Sequence, residues 1–130
     1  MMKILLGSIL LSLSLNANAA ALWCTGNLNA VWINSAGNVM VLPSFRRSHI
    51  KLCNVNTASG GVSVDVCKSW LSTAQLAYAS REKVVSYYPV PGTSSCSQLA
   101  VYAASPAPGY FMIQRYTTDD SFEAGFELYE

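Results

Sequence analysis

Few side chains in this 130-residue chain have reactive potential, and their types and spacing limit the chemistry open to it. There are four cysteines (Cys24, Cys53, Cys67 and Cys96), a single histidine, His49, and seven carboxylates. A Ser–His–Asp relay needs an acid to orient its base. Before residue 118 the only acids are Asp65 and Glu82, and both have local explanations. Asp65 falls in the first turn of an expected helix, where negative charge suits the helix dipole. Glu82 lies in the turn Arg81-Glu82-Lys83. A glycoside hydrolase needs two placed carboxylates, and none is spare. His49, following Arg46-Arg47-Ser48, reads as an ordinary strand residue, and Gly60-Gly61 is an isolated pair in a loop. No Cys-x-x-Cys or second histidine supports a metal site. The expectation is no catalytic residue, no metal ligand and no cofactor.

The cysteines read instead as a disulfide framework, because the chain opens like an exported one. Lys3, an apolar run over residues 4–15 and Ala17-Asn18-Ala19 form a signal peptide over 1–19. The run is about 12 residues, short of the ~20 that span a bilayer. Trp23 stands before Cys24 where a lipid-attachment site wants a small residue. The mature chain then starts near Ala20, secreted or periplasmic, with no membrane span. It carries seven basic residues, and five of the seven acids fall after Thr118. The body is therefore mildly basic but lacks the Lys/Arg stripe of a nucleic-acid binder.

Period-2 apolar patterning predicts strands over 22–33, 38–42 and 49–55, with a turn at Asn34-Ser35-Ala36-Gly37 and a stop at Pro43. The period then changes. Val64, Val66, Cys67, Trp70, Leu71, Ala74, Ala77 and Tyr78 share one side of a helical wheel, with Ser63 as N-cap. Leu76 is an apolar residue on the polar side. Strands over 83–88 and 110–116 follow, separated by a Pro/Ser/Gly-rich connection. The predicted fold is mainly β with one helix: a single OB-like domain over 20–116, a five-stranded barrel in the order β-β-β-α-β-β. Other α+β layouts share that element order.

Four cysteines allow three pairings. Cys53 at the end of the third strand and Cys67 on the apolar helix face close a loop of about 15 residues, worth roughly 3 kcal/mol. Cys24 and Cys96 are left for each other, worth roughly 4 kcal/mol.

Binding is easier to assemble than catalysis. Trp23, Trp32, Trp70, Tyr87, Tyr88, Tyr102, Tyr110 and Tyr116 offer apolar faces with polar tips, suited to sugar rings and protein surfaces. Tyr87 and Tyr88 are adjacent on a strand, so one ring must face outward.

Leu52-Cys53, the Gly-rich loop, Val62-Ser63 with Cys67, the helix holding Trp70, Leu71 and Ala77, and Val84-Val85-Ser86-Tyr87-Tyr88 together resemble the middle of the B subunits of AB5 toxins. The likeness is to the subtilase-cytotoxin and pertussis-like group. It implies an exported OB-fold that self-associates into a ring and binds a glycan or surface protein, and it carries over no ligand-binding residue. Cys24 and the acidic tail depart from that pattern. The alternatives are a family of small exported bacterial proteins sharing only the fold, and a monomeric periplasmic accessory or inhibitor protein. The tail, 117–130, spaces Phe122, Phe126 and Tyr129 for one face of a short helix with acids opposite.

Overall fold

In the computed structural model, which describes residues 20–115, the first strand does not run through to residue 33. It breaks at Asn27 into β1 (Leu22–Gly26) and β2 (Leu28–Ile33). Gly26 has no room for a side chain: a Cβ there would lie 2.3 Å from Ser44 Oγ and 3.3 Å from the Phe45 backbone nitrogen. The Asn27 amide donates to Ser44 Oγ at 3.0 Å, and its carbonyl accepts from the Ser44 amide at 2.9 Å. Its side-chain Nδ2 donates to the Arg81 carbonyl at 3.1 Å. With both backbone groups committed to a loop, Asn27 cannot continue a ladder, and the chain crosses from one sheet to another.

The consequence corrects the expected architecture. Among the described residues there are six strands, not five, and two separate antiparallel sheets instead of a closed barrel. One sheet contains β2, β3 (Asn38–Pro43) and β4 (Ile50–Asn54), in that order. The other has β5 (Lys83–Tyr88) between β1 and β6 (Tyr110–Gln114). The coarser description stands for the described residues: mainly β, with one α-helix and two disulfides. Strand β6 ends at Gln114, short of residue 116, and the Arg115 side chain pairs with Glu82. The signal segment 1–19, Tyr116 and the tail 117–130 lie outside the described residues.

Helix α1 (Val64–Ser80) packs against both sheets. Ser63 caps it, its hydroxyl accepting from the Val66 amide at 3.2 Å. It ends at Arg81, in the left-handed region at φ 57°, whose amide bonds the Ala77 carbonyl. Cys67, Ala74 and Ala77 are buried, and Trp70 and Leu71 half-buried. Val66 and Tyr78, expected on the buried side, are 43% and 51% exposed. The buried strip is narrow because it is made of small residues. Val66 and Tyr78 each stand one residue off it, turned away by about 100°.

Cys53 is bonded to Cys67, pinning α1 to β4, and Cys24 to Cys96, tying the long connection to β1. That connection also buries Leu99 completely, and Arg46 Nε donates to the Leu99 carbonyl at 2.6 Å. The rest of the core includes Val39, Val41, Ile50, Leu52, Val84, Tyr88 and Phe111. Burial pushes the Tyr88 phenol up to about 12, opposed in part by its hydrogen bond with Ser86. No helix among the described residues is long and apolar enough to cross a membrane.

Candidate functional site

Trp23 on β1, Tyr87 on β5 and Tyr110 on β6 stand opposite one another in the ladder. Alternation along each strand sends their neighbours Cys24, Ser86 and Phe111 into the core. The three rings therefore form a row on the outer face. Of the adjacent tyrosines, Tyr88 is the buried one and Tyr87 points outward.

The row is held as a unit. Trp23 lies 4.9 Å from Tyr87 between ring centroids, tilted by 32°, and Tyr87 stacks on Tyr110 at 5.0 Å. Trp23 Nε1 donates to the Tyr110 hydroxyl at 2.9 Å. Strands are spaced about 4.8 Å apart, so this bond bridges strands roughly 10 Å apart and closes over Tyr87. The indole is fixed along one edge and 60% of the residue is exposed to solvent.

Beside the row the chain passes very close to Tyr87. The Gly109 amide donates to the Tyr87 carbonyl at 2.6 Å, and a Cβ on Gly109 would lie 2.9 Å from Tyr87 Cδ1. Gly109 also borders a groove of about 350 Å³, together with Pro89, Pro108, Val66 and Trp70. On its other rim, Gly60 at φ 60° approaches Ala107 so closely that a Cβ would lie 2.6 Å from the alanine methyl. Platform and groove thus meet at Gly109, with apolar faces edged by the Tyr110 hydroxyl, the Ser63 hydroxyl and loop backbone. Such a surface can stack on a flat, weakly polar ring and hydrogen-bond its rim.

His49 sits elsewhere, immediately before β4 and not within it as expected, because the strand starts only at Ile50. Its Nδ1 accepts from Trp32 Nε1 at 3.0 Å, and its ring lies 5.8 Å from that of Tyr102. Tyr102 is held at φ 54° while its amide bonds the His49 carbonyl at 2.9 Å. His49 thus fixes an indole and a loop. No three His, Cys, Asp or Glu side chains among the described residues are grouped to hold a metal ion. All four cysteines are in disulfides.

Which aromatics would meet was not readable in the sequence. Trp23, Tyr87 and Tyr110 are far apart in the chain, and only strand register aligns them. Comparison of the chain with protein-family models, with curated proteins and with solved structures finds no match.

Proposed function

We propose that this protein is an exported, non-catalytic binding module whose Trp23 platform and adjoining groove take up a saccharide, as presented on a surface glycan. The observation that carries this reading is the outward indole of Trp23, locked over Tyr87 by its bond to Tyr110. A ring already held in place loses little freedom when a ligand stacks on it, and that preorganisation favours affinity. A single shallow platform binds weakly. Self-association into a ring, as in toxin B subunits, would multiply that affinity through several simultaneous contacts.

The test is a glycan array probed with the mature protein, followed by the Trp23→Ala variant on each hit. Binding that falls at least tenfold in the variant supports the reading. Binding that is indifferent to Trp23 overturns it. Mass in solution separates the assembled form from the rival, a monomeric accessory or inhibitor protein of about 12 kDa. A strict monomer that binds no glycan favours the rival.

A further inference from the structure

We propose that the saccharide taken up here is an uncharged one, its ring stacked on the free face of Trp23 and its hydroxyls met by the turn around Cys96. The inference rests on the saccharide reading above and narrows it to one class of ligand.

The open ring surface is the first argument. One face of the Trp23 indole lies against Tyr87, and Tyr87 in turn is flanked by Tyr110 on its other side. The second face of the indole looks away from β5, past β1, where the sheet ends. Trp23 is also the most exposed residue of the row, at 60% against 39% for Tyr110. A sugar ring carries C–H groups on its faces and hydroxyls around its rim, so an indole face suits it.

The open edge of β1 supplies polar groups. Cys96 is bonded to Cys24, the residue after Trp23, and its Sγ lies 3.7 Å from the Trp23 carbonyl. The disulfide thereby sets the segment 93–98 alongside the indole. Ser95 caps the short turn Cys96–Gln98, its hydroxyl accepting from the Ser97 amide at 3.3 Å and lying 2.8 Å from the Ser97 hydroxyl. Gln98 Oε1 accepts from the Thr93 hydroxyl at 3.4 Å, which turns the Gln98 Nε2 donors toward other partners. Ser97 and Gln98 are exposed. A few converging hydroxyl and amide groups beside an aromatic face can orient a ligand that the face alone would hold loosely.

Charge decides the class. Residues 20–45, 54–64 and 89–114 contain no Asp, Glu, Lys, Arg or His. Those stretches supply Trp23, Tyr110, the turn and the whole groove except Val66 and Trp70. Lys83 is four residues from Tyr87 on β5, roughly 13 Å at 3.3 Å per residue, beyond the distance over which charge is felt at moderate salt. Arg46 reaches the connection, but its Nε is bonded to the carbonyl of the buried Leu99. Lys68 stands two residues past Val66, about 200° round the helix. Asp65 lies in the same helical turn as Ser63 and Val66 of the groove, and it repels anions. A carboxylated or sulfated sugar would lose hydration here without gaining an ion pair, whereas a neutral one has no such loss.

Matched pairs of glycans test this, each a neutral oligosaccharide and the same one carrying a carboxylate or sulfate. Neutral members should bind and their charged counterparts should bind several-fold more weakly. Affinity for the best neutral hit should change less than about twofold between low and moderate salt, because no opposite charge is engaged. Lys83→Gln should leave it unchanged. The double variant Ser97→Ala, Gln98→Ala should lower it several-fold while the melting temperature holds. Silence across the whole set overturns the saccharide reading and this proposal with it. Hits confined to charged members, binding that collapses with salt or in Lys83→Gln, or affinity indifferent to the double variant would leave that reading standing and overturn this one.

Discussion

Trp23 and Tyr110 occupy the two outer strands of one sheet, and the 2.9 Å bond between them passes over the strand that separates them. The geometry makes Tyr110 a positioning residue for the indole. In Tyr110→Phe the stack on Tyr87 remains and only the acceptor is lost. A neutral hydrogen bond is worth about 1 kcal/mol, so affinity for the saccharide ligand proposed above should weaken about fivefold. Because the bond is exposed, the melting temperature should fall by no more than the roughly 4–8 °C that 1 kcal/mol represents in a domain of this size. Titration by tryptophan fluorescence reads the first and calorimetry the second. Unchanged affinity would show that the indole needs no anchor.

Gly26 and Ser44 form a second coupled pair. Gly26→Ala places a methyl 2.3 Å from Ser44 Oγ, which must move and so lose the Asn27 amide. The expected cost is about 1–3 kcal/mol. Ser44→Ala alone should cost about 1 kcal/mol. The double variant should be less destabilised than the sum of the singles, because one clash and one bond share an atom. Denaturant unfolding of the three variants decides it, and strict additivity would contradict the account of the β1–β2 corner.

Opening either disulfide should be costly, and unequally so. Replacing Cys53 and Cys67 together by alanine releases a short loop, with a separation of 14 residues. Replacing Cys24 and Cys96 releases one of 72. The chain-entropy model gives roughly 3 and 4 kcal/mol, and each should lower the melting temperature by at least about 10 °C. Thermal unfolding under non-reducing conditions measures both. A smaller loss for the longer loop would mean that its pairing restrains the folded connection more than the unfolded chain.

Tyr88 should make the fold alkali-sensitive. Below pH 10 its phenol is protonated whether the chain is folded or not. Between 10 and about 12 the unfolded chain releases the proton while the folded one retains it. Stability therefore falls as pH rises through that window, by about 2–3 kcal/mol in all. Tyr88→Phe should remove this part of the slope. Urea unfolding of parent and variant across the window would show their difference shrinking with pH, and a constant difference would count against the burial of the hydroxyl.

Local pattern carried much of this fold. Ser63 could be recognised as a cap because serine before an amphipathic run satisfies an orphan amide, and it does so here. The 3.6-residue spacing through Cys67, Ala74 and Ala77 placed the helix and the Cys53–Cys67 bond. The signals that failed were those set by partners distant in the chain. Nothing near Asn27 marks a strand break except Gly26, because the cause is Ser44 and Arg81 arriving from elsewhere. Arg81 ends α1 in a left-handed conformation usually taken by glycine. No local rule would have chosen arginine.

The amino-acid sequence by itself determined the mainly β character, the helix after Ser63 with its N-terminus, the disulfide pairs and the short list of histidine, cysteine and carboxylate side chains. These follow from periodicity, capping and residue inventory, which act over a few positions or need only a count. The division into two sheets, the outward turn of Val66 and Tyr78, and the row formed by Trp23, Tyr87 and Tyr110 were decided by tertiary structure alone. A platform built across three strands depends on register. Register is set by how whole faces pack together, a property that no short stretch of chain contains.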